Sequence, residues 1–219
     1  MKEGDWEHPH ALPDGTQLIV RPLRKDDKDE LRRAIQSLSE ETTMRRFFRS
    51  HLETSEEVLL HLSDVDQDNH VAVVAMLPTP DLKAERGIGV ARFVRIAGQP
   101  EVAEAAITVI DEFQRRGAGR VLLLELVALA RKHGITRFRA EVLEENTAVT
   151  SILAHVPHVR VAETDTSATY EIAIGDDSPE RSPIYELFRA IARSLRRVVE
   201  LTTGVTADPA PRARTRSPR

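Results

Sequence analysis

The stretch that decides the fold runs from Ala106 to Gly134 and reads AITVIDEFQRRGAGRVLLLELVALARKHG. It begins with the β-branched run of a short apolar strand, passes through a basic turn with two glycines, and continues with helical periodicity. Apolar residues recur on one face of the helical part: Leu122, Leu123, Leu126, Val127 and Ala130. The sequence therefore predicts a strand, a tight turn, and a long helix whose first turn lies inside that turn.

The turn QRRGAGR, from Gln114 to Arg120, has the features of a diphosphate-binding site. The first backbone N–H groups of a helix have no partner within it, and the helix dipole is positive at that end. Gly117 and Gly119 leave these N–H groups accessible to a bulky anion. Arg115, Arg116 and Arg120 add full positive charges. We expect a diphosphate here; a surface turn that only carries arginines is the alternative interpretation.

Two other phosphate-binding loops do not fit this turn. A nucleoside-triphosphate loop needs GxxxxGK[ST], and no Lys-Ser or Lys-Thr follows Gly119. The dinucleotide fingerprint needs GxGxxG, and Leu122 occupies the position of its third glycine.

The turn does fit Q/R-x-x-G-x-G/A, and through it the chain resembles the GNAT superfamily of acyl-CoA N-acyltransferases. The resemblance implies an α/β (α+β) fold, with a mixed, mostly antiparallel sheet, a central parallel splayed strand pair, and flanking helices. It implies acetyl-CoA as acyl donor and no metal. The residues that it assigns to acetyl-CoA are Ile107, Val109, Gln114, Arg115, Arg116, Gly117, Ala118, Gly119, Arg120 and Asn146.

Four further segments are similar to one GNAT branch, the bacterial Pat-type protein lysine acetyltransferases. They are SLSEETTMRRFF (37–48), HVAVVA (70–75), GVARFVR (89–95) and VAEAAITVID (102–111). This similarity implies direct transfer of an acetyl group to an amine in a ternary complex, most specifically to a protein lysine. A small-molecule amine N-acetyltransferase and a non-catalytic acyl-CoA-binding regulatory module are the alternatives.

By the same resemblance, Glu104 is the general base and the backbone N–H of Val109 polarises the thioester carbonyl. Strand alternation places Glu104, Ala106 and Thr108 on one face. A solvated strand face is the alternative interpretation of Glu104, and Glu101 and Asp111 are lesser candidates for the base. Many relatives have a tyrosine seven residues after the cofactor-binding asparagine, whereas this chain has Leu153, so either water protonates the leaving thiolate or no acid is needed.

Composition limits the other classes of function. There is no cysteine, which excludes disulfides, thiolate metal sites and a cysteine-linked acyl intermediate. The eight histidines form no HxxxH or HExxH motif, so we expect no metal site. No apolar run reaches membrane-spanning length, and the N-terminus does not resemble a signal peptide. We therefore expect a cytoplasmic protein.

Charge is distributed unevenly along the 219 residues. Residues 179–219 contain nine arginines and four acidic residues, a net charge of +5, which leaves −9 for residues 1–178 of a chain with net charge −4. An acidic body suits a cationic, lysine-bearing acceptor better than a nucleic acid.

The sequence predicts four regions. They are an N-terminal extension (1–15), a GNAT domain (16–175), a basic amphipathic helix (183–203) and a disordered Pro/Arg-rich tail (204–219). The amphipathic helix predicts contact with a partner or an anionic membrane, with packing on its own domain or on another copy as the alternative. The sequence does not indicate an oligomeric state.

Overall fold

The alternating and β-branched segments of the sequence form one eight-stranded sheet in the computed structural model, which describes residues 6–40, 42–43, 54–78, 86–143, 158–164 and 167–174. The strands are β1 His8–Ala11, β2 Gln17–Pro22, β3 His70–Leu77, β4 Arg86–Ile96, β5 Gln99–Val109, β6 Arg137–Leu143, β7 His158–Glu163 and β8 Ser167–Ala173. Their order across the sheet is β1-β2-β3-β4-β5-β6-β8-β7.

Only one neighbouring pair in this sheet is parallel. Strands β5 and β6 pair in parallel, and the six other neighbouring pairs are antiparallel. The mixed sheet with a central parallel pair, predicted above, is therefore confirmed. The first strand was not predicted: His8–Ala11 lies in the expected extension and pairs with β2 at the edge of the sheet.

Three helices cover the two faces of the described sheet. Helices α1 (Lys28–Gln36) and α2 (Glu56–Ser63) lie on one face, and α3 (Ala118–Lys132) lies on the other. The hydroxyl of Ser55 caps α2 by accepting a hydrogen bond from the amide of Val58. All five apolar positions predicted for α3 are buried in the larger core cluster, which confirms the helical periodicity: Leu122, Leu123, Leu126, Val127 and Ala130.

The parallel pair opens into a wedge. Registered pairing between β5 and β6 covers three positions and ends at Glu104 and Arg139. Beyond them β5 continues to Val109, while β6 continues to Leu143 in register with β8. We call the space between residues 105–109 of β5 and the end of β6 the wedge; Glu104 lies at its closed end.

Several predicted features lie outside the described residues. These are residues 44–48 of the segment SLSEETTMRRFF, the cofactor-binding Asn146, the position of Leu153, the amphipathic helix 183–203 and the tail 204–219. Within the described ranges, no helix has the length and apolar character needed to cross a membrane.

Candidate functional site

The predicted diphosphate turn lies at the start of α3. Gly117 is the N-cap, with a φ of +104°, and the first hydrogen bonds recorded there run from the amides of Arg120 and Val121 to its carbonyl oxygen. The amides of Ala118 and Gly119 lie in the first turn of the helix, where a helix offers N–H groups to an anion. A single 3₁₀ turn, Asp111–Phe113, joins β5 to this turn.

The two glycines of the turn serve different needs. A Cβ atom on Gly117 would lie 2.9 Å from Cδ of Pro13, so both the positive φ and the close approach of the chain require glycine there. A Cβ atom on Gly119 would have its nearest contact at 3.7 Å, with Val109. The surrounding protein therefore leaves room for a side chain at position 119.

Two arginines of the turn, Arg116 and Arg115, are placed differently. Arg116 donates to Asp14 at 2.7 Å and to the Thr16 hydroxyl at 2.9 Å, and its guanidinium lies 4.4 Å from the centroid of the Phe113 ring. Hydrogen bonds from the backbone and side chain of Thr16, and then from Arg116, lower the pKa of Asp14 to about 2. Arg116 thus ties the turn to the β1–β2 connection. Arg115 is exposed and has a φ of +59°.

A hydrogen-bond network joins the end of the α1 region to the same turn. The Asp111 carboxylate accepts hydrogen bonds from the Ser39 amide (2.9 Å), the Ser39 hydroxyl (2.7 Å) and the Thr42 hydroxyl (2.8 Å). Burial opposes ionisation of Asp111, but these hydrogen bonds outweigh it and lower its pKa. The Gln114 side-chain amide donates to the Thr42 hydroxyl (3.0 Å) and to the Val109 carbonyl oxygen (3.1 Å).

Backbone groups of β5 point into the wedge. The amide of Ile110 donates to the carbonyl oxygen of Ile88 on β4. Because N–H and C=O directions alternate along a strand, the amides of Ile107 and Val109 point away from β4, toward the wedge. The contact of Gln114 with the Val109 carbonyl oxygen on that side agrees with this direction.

Glu104 lies at the closed end of the wedge. Its side chain points to the sheet face that carries α1 and α2, together with Thr108, as strand alternation predicted. The residue is half-buried and its Oε2 atom is shielded from solvent. Arg139 of β6 is its register partner, and Arg139 is in turn the register partner of Glu171 on β8.

A partly open pocket lies on this face, between the two helices and the sheet. Its lining is mainly apolar and comes from α1, α2, β3, β4 and β5, with Thr108 from the wedge strand. Arg92 of β4 also lines it and is only 2% exposed. Within the described residues, no cluster of His, Asp and Glu side chains has the geometry of a metal site.

Some contributors to this region do not follow from the sequence. The hydrogen bond from the Thr42 hydroxyl to the Asp111 carboxylate joins residues 69 positions apart. Nothing in the sequence of β6 singles out Arg139. A signal was present for Arg92, because a charged residue within the apolar strand GVARFVR is unusual unless it has a buried role.

The comparisons with known proteins agree with this geometry. A family model described as an acetyltransferase (GNAT) domain matches residues 17–156, more than half of the chain. The chain is 29% identical to an acetyltransferase of Pseudomonas aeruginosa over 75% of this chain and 87% of that protein. It is 32% identical to the acetyltransferase Pat of Mycolicibacterium smegmatis, over 71% of this chain and 45% of Pat.

Solved structures of GNAT proteins also match this chain. The GNAT domain of S. lividans PAT matches with a TM-score of 0.62 and 26% identity, over 77% of this chain and 97% of that domain. A cAMP-binding acyltransferase from Mycobacterium smegmatis matches with a TM-score of 0.51 and 26% identity, over 91% of this chain and 57% of that protein. The chain thus corresponds to about half the length of these mycobacterial relatives.

Proposed function

Because this chain belongs to the GNAT acetyltransferase family and is an N-acetyltransferase, we propose that it transfers the acetyl group of acetyl-CoA to a lysine side chain of a protein, with Glu104 as general base. The observation that carries this proposal is the wedge. It runs along β5 from a half-buried carboxylate at its closed end to a glycine-bearing helix start at its open end.

The diphosphate of acetyl-CoA binds, in this proposal, at the first turn of α3. The amides of Ala118 and Gly119 donate to it, and Arg115 and Arg120 add positive charge. Arg116 has a different part, since its guanidinium is already bonded to Asp14 and Thr16. It holds the turn in shape. Asn146 remains a predicted contact from the sequence alone.

The pantetheine arm lies along β5 in the wedge, and one amide of that strand donates to the thioester carbonyl oxygen. The family resemblance implies the amide of Val109. A strand rises by about 3.4 Å per residue, so Val109 lies about 17 Å from Glu104 and Ile107 about 10 Å. The base and the carbonyl must meet at one reacting amine, so we propose Ile107 as the donor.

The reaction consists of proton transfers, the formation of one C–N bond and the breaking of one C–S bond. Glu104 takes a proton from the lysine ammonium, directly or through one water, and the free amine attacks the thioester carbon. The amide of Ile107 stabilises the oxyanion of the tetrahedral intermediate. The nitrogen of the intermediate gives its second proton to water, the C–S bond breaks as the carbonyl re-forms, and the CoA thiolate leaves and takes a proton from water.

The acidic body supports a cationic acceptor, since residues 1–178 carry a net charge of −9. The apolar pocket beside Thr108 favours a second candidate, a small amine with an apolar body. Incubation of candidate proteins such as acyl-CoA synthetases with this enzyme and acetyl-CoA, followed by mass spectrometry, separates the two. The cytoplasmic location remains a prediction from the sequence.

The assignment of the base is tested with Glu104→Gln. We expect kcat with a lysine-rich protein acceptor to fall by about 10²- to 10⁴-fold, because general-base catalysis contributes that much. The dissociation constant of CoA, measured by calorimetry, should not change. Glu101→Gln, an exposed carboxylate on the same strand, is the matched control. Undiminished turnover by Glu104→Gln would show that another group is the base.

A further inference from the structure

A row of charged side chains crosses the sheet at the closed end of the wedge. Registered residues on neighbouring strands share a face, and neighbouring strands lie about 4.8 Å apart. Glu104 of β5 is registered with Arg139 of β6, and Arg139 is registered with Glu171 of β8. The registered cross-strand neighbour of Glu104 on the β6 side is therefore Arg139.

Arg139 is held firmly in this row. Its Nη2 atom donates to Oε1 of Glu171 and to Oε1 of Gln99, and its side chain is 20% exposed. Glu171 is more deeply buried, with 7% of its side chain exposed, and it also accepts a contact from Nη1 of Arg137 at 3.2 Å. Glu171 thus contacts two guanidinium groups, and Arg137 has a second, longer contact with the exposed carboxylate of Glu101 at 3.8 Å.

The other described strands add no anion near Glu104. On β4, the buried Arg92 lies on the same face, two register positions further along than Glu104. On β3, His70 lies in the same row as Glu104; burial, and then the charge of Arg92, lower its pKa to about 4, so it is neutral near pH 7.

The acidic residues of the α1 side are already bonded. Asp27 forms a 2.7 Å ion pair with Arg21. Glu30 accepts hydrogen bonds from the Gly87 amide and from Arg33. Neither carboxylate therefore offsets the positive charge beside Glu104.

We propose that Arg139, fixed in place by Glu171, is a positioning residue for the general base: it favours the ionised form of the Glu104 carboxylate, and Glu171 limits how strongly it does so. The proposal rests on the role proposed for Glu104 above. A base must be ionised to accept a proton, but a carboxylate fully paired with an arginine accepts a proton poorly. Because Arg139 is also paired with Glu171, it favours the ionised form of Glu104 less strongly than an arginine paired with Glu104 alone would.

The test is the titration of Glu104 itself, followed by NMR of protein with ¹³C-labelled glutamate carboxyl groups. The Glu104 signal is identified by its loss in Glu104→Gln. In Arg139→Gln the midpoint of this titration should rise by about one pH unit, because a nearby cation favours the carboxylate form. Arg139→Lys keeps the charge and should leave the midpoint close to that of the wild-type protein.

Glu171→Gln should move the midpoint in the opposite direction, because it removes an anion and releases Arg139 from its ion pair. Arg160→Gln is the matched control, since Arg160 forms a 2.9 Å ion pair with Glu163 on β7, two strands away from β6. The acid limb of kcat/KM should shift together with the carboxyl midpoint.

An unchanged midpoint in Arg139→Gln overturns this proposal, and so does an equal shift in Arg160→Gln. If Glu171→Gln fails to fold, the comparison between Arg139→Gln and Arg139→Lys still decides. The carboxyl titration does not depend on turnover, so the two proposals fail separately. Full activity of Glu104→Gln would exclude Glu104 as the base. An equal titration midpoint of Glu104 in the wild-type protein and in Arg139→Gln would exclude only the role of Arg139.

Discussion

Gly117 and Gly119 are two residues apart and have different physical reasons to be glycine. Gly117 combines a φ of +104° with a Cβ position 2.9 Å from Pro13, so the fold itself requires it. Gly119 has an ordinary 3.7 Å contact as its nearest neighbour. Its lack of a side chain is therefore better explained by a ligand that approaches the first turn of α3.

Alanine at each of the two positions should separate these reasons. Gly117→Ala should lower the free energy of unfolding by about 1–3 kcal/mol, because it strains the backbone. Gly119→Ala should raise it by up to about 1 kcal/mol, because alanine is the better helix former. We nevertheless expect Gly119→Ala to bind CoA at least tenfold more weakly. Urea unfolding and calorimetry measure the two effects; unchanged CoA affinity in Gly119→Ala would contradict the proposed diphosphate site.

At the scale of elements, strands β3 and β4 bring a titratable group to the face that carries Glu104. Nε2 of His70, at the start of β3, lies 3.4 Å from Nη1 of Arg92 on β4. An arginine can only donate, so this nitrogen of His70 is an acceptor, and protonation of the ring would place two cations together. Burial is the main cause and the charge of Arg92 adds to it, so the pKa of His70 falls to about 4.

This contact predicts a loss of stability in mild acid. The unfolded chain takes up the His70 proton near pH 6.5, whereas the folded protein takes it up only near pH 4. The unfolded state therefore binds more protons between these values, and the free energy of unfolding should fall as the pH drops from about 6.5 to 4.

The variant His70→Gln should make this fall less steep, because glutamine keeps an acceptor for Arg92 but does not titrate. Chemical unfolding at half-unit pH steps measures the slope. His158→Gln, a change at an exposed histidine on β7, is the control. If the free energy of unfolding depends on pH in the same way in the wild-type protein and in His70→Gln, His70 does not contribute to this dependence.

At the scale of the whole molecule, the two sides of the wedge lead into different parts of the fold. The β5 side continues into α3, and the β6 side continues into the β7–β8 edge of the sheet. A ligand that fills the wedge contacts both sides, although pairing between them covers only three positions. Binding of CoA is thus expected to stabilise the folded protein as a unit.

CoA at about 100 times its dissociation constant should raise the free energy of unfolding by about 2.7 kcal/mol. Arg115→Ala should reduce this gain at the same CoA concentration, because Arg115 is the exposed cation of the turn. Arg160→Ala removes an exposed arginine from β7 and should keep the full gain. Thermal unfolding with and without CoA measures both; an equal gain in all three proteins would exclude a role for Arg115.

The sequence by itself determined the parts of this protein that depend on local order. Strand alternation placed Glu104 and Thr108 on one face, helical spacing gave the buried stripe of α3, and glycines after a basic pair gave the turn between them. These features depend on residues a few positions apart, whose backbone geometry restricts where each side chain points.

Only the tertiary structure decided which charged and polar groups meet. Arg116 pairs with Asp14, 102 residues away, and Gln114 donates to Thr42, 72 residues away. Arg139 lies beside Glu104 because of the register between two strands, which leaves no mark in either strand's own sequence. Such contacts depend on how the whole sheet is ordered and aligned, and local periodicity carries no information about that alignment.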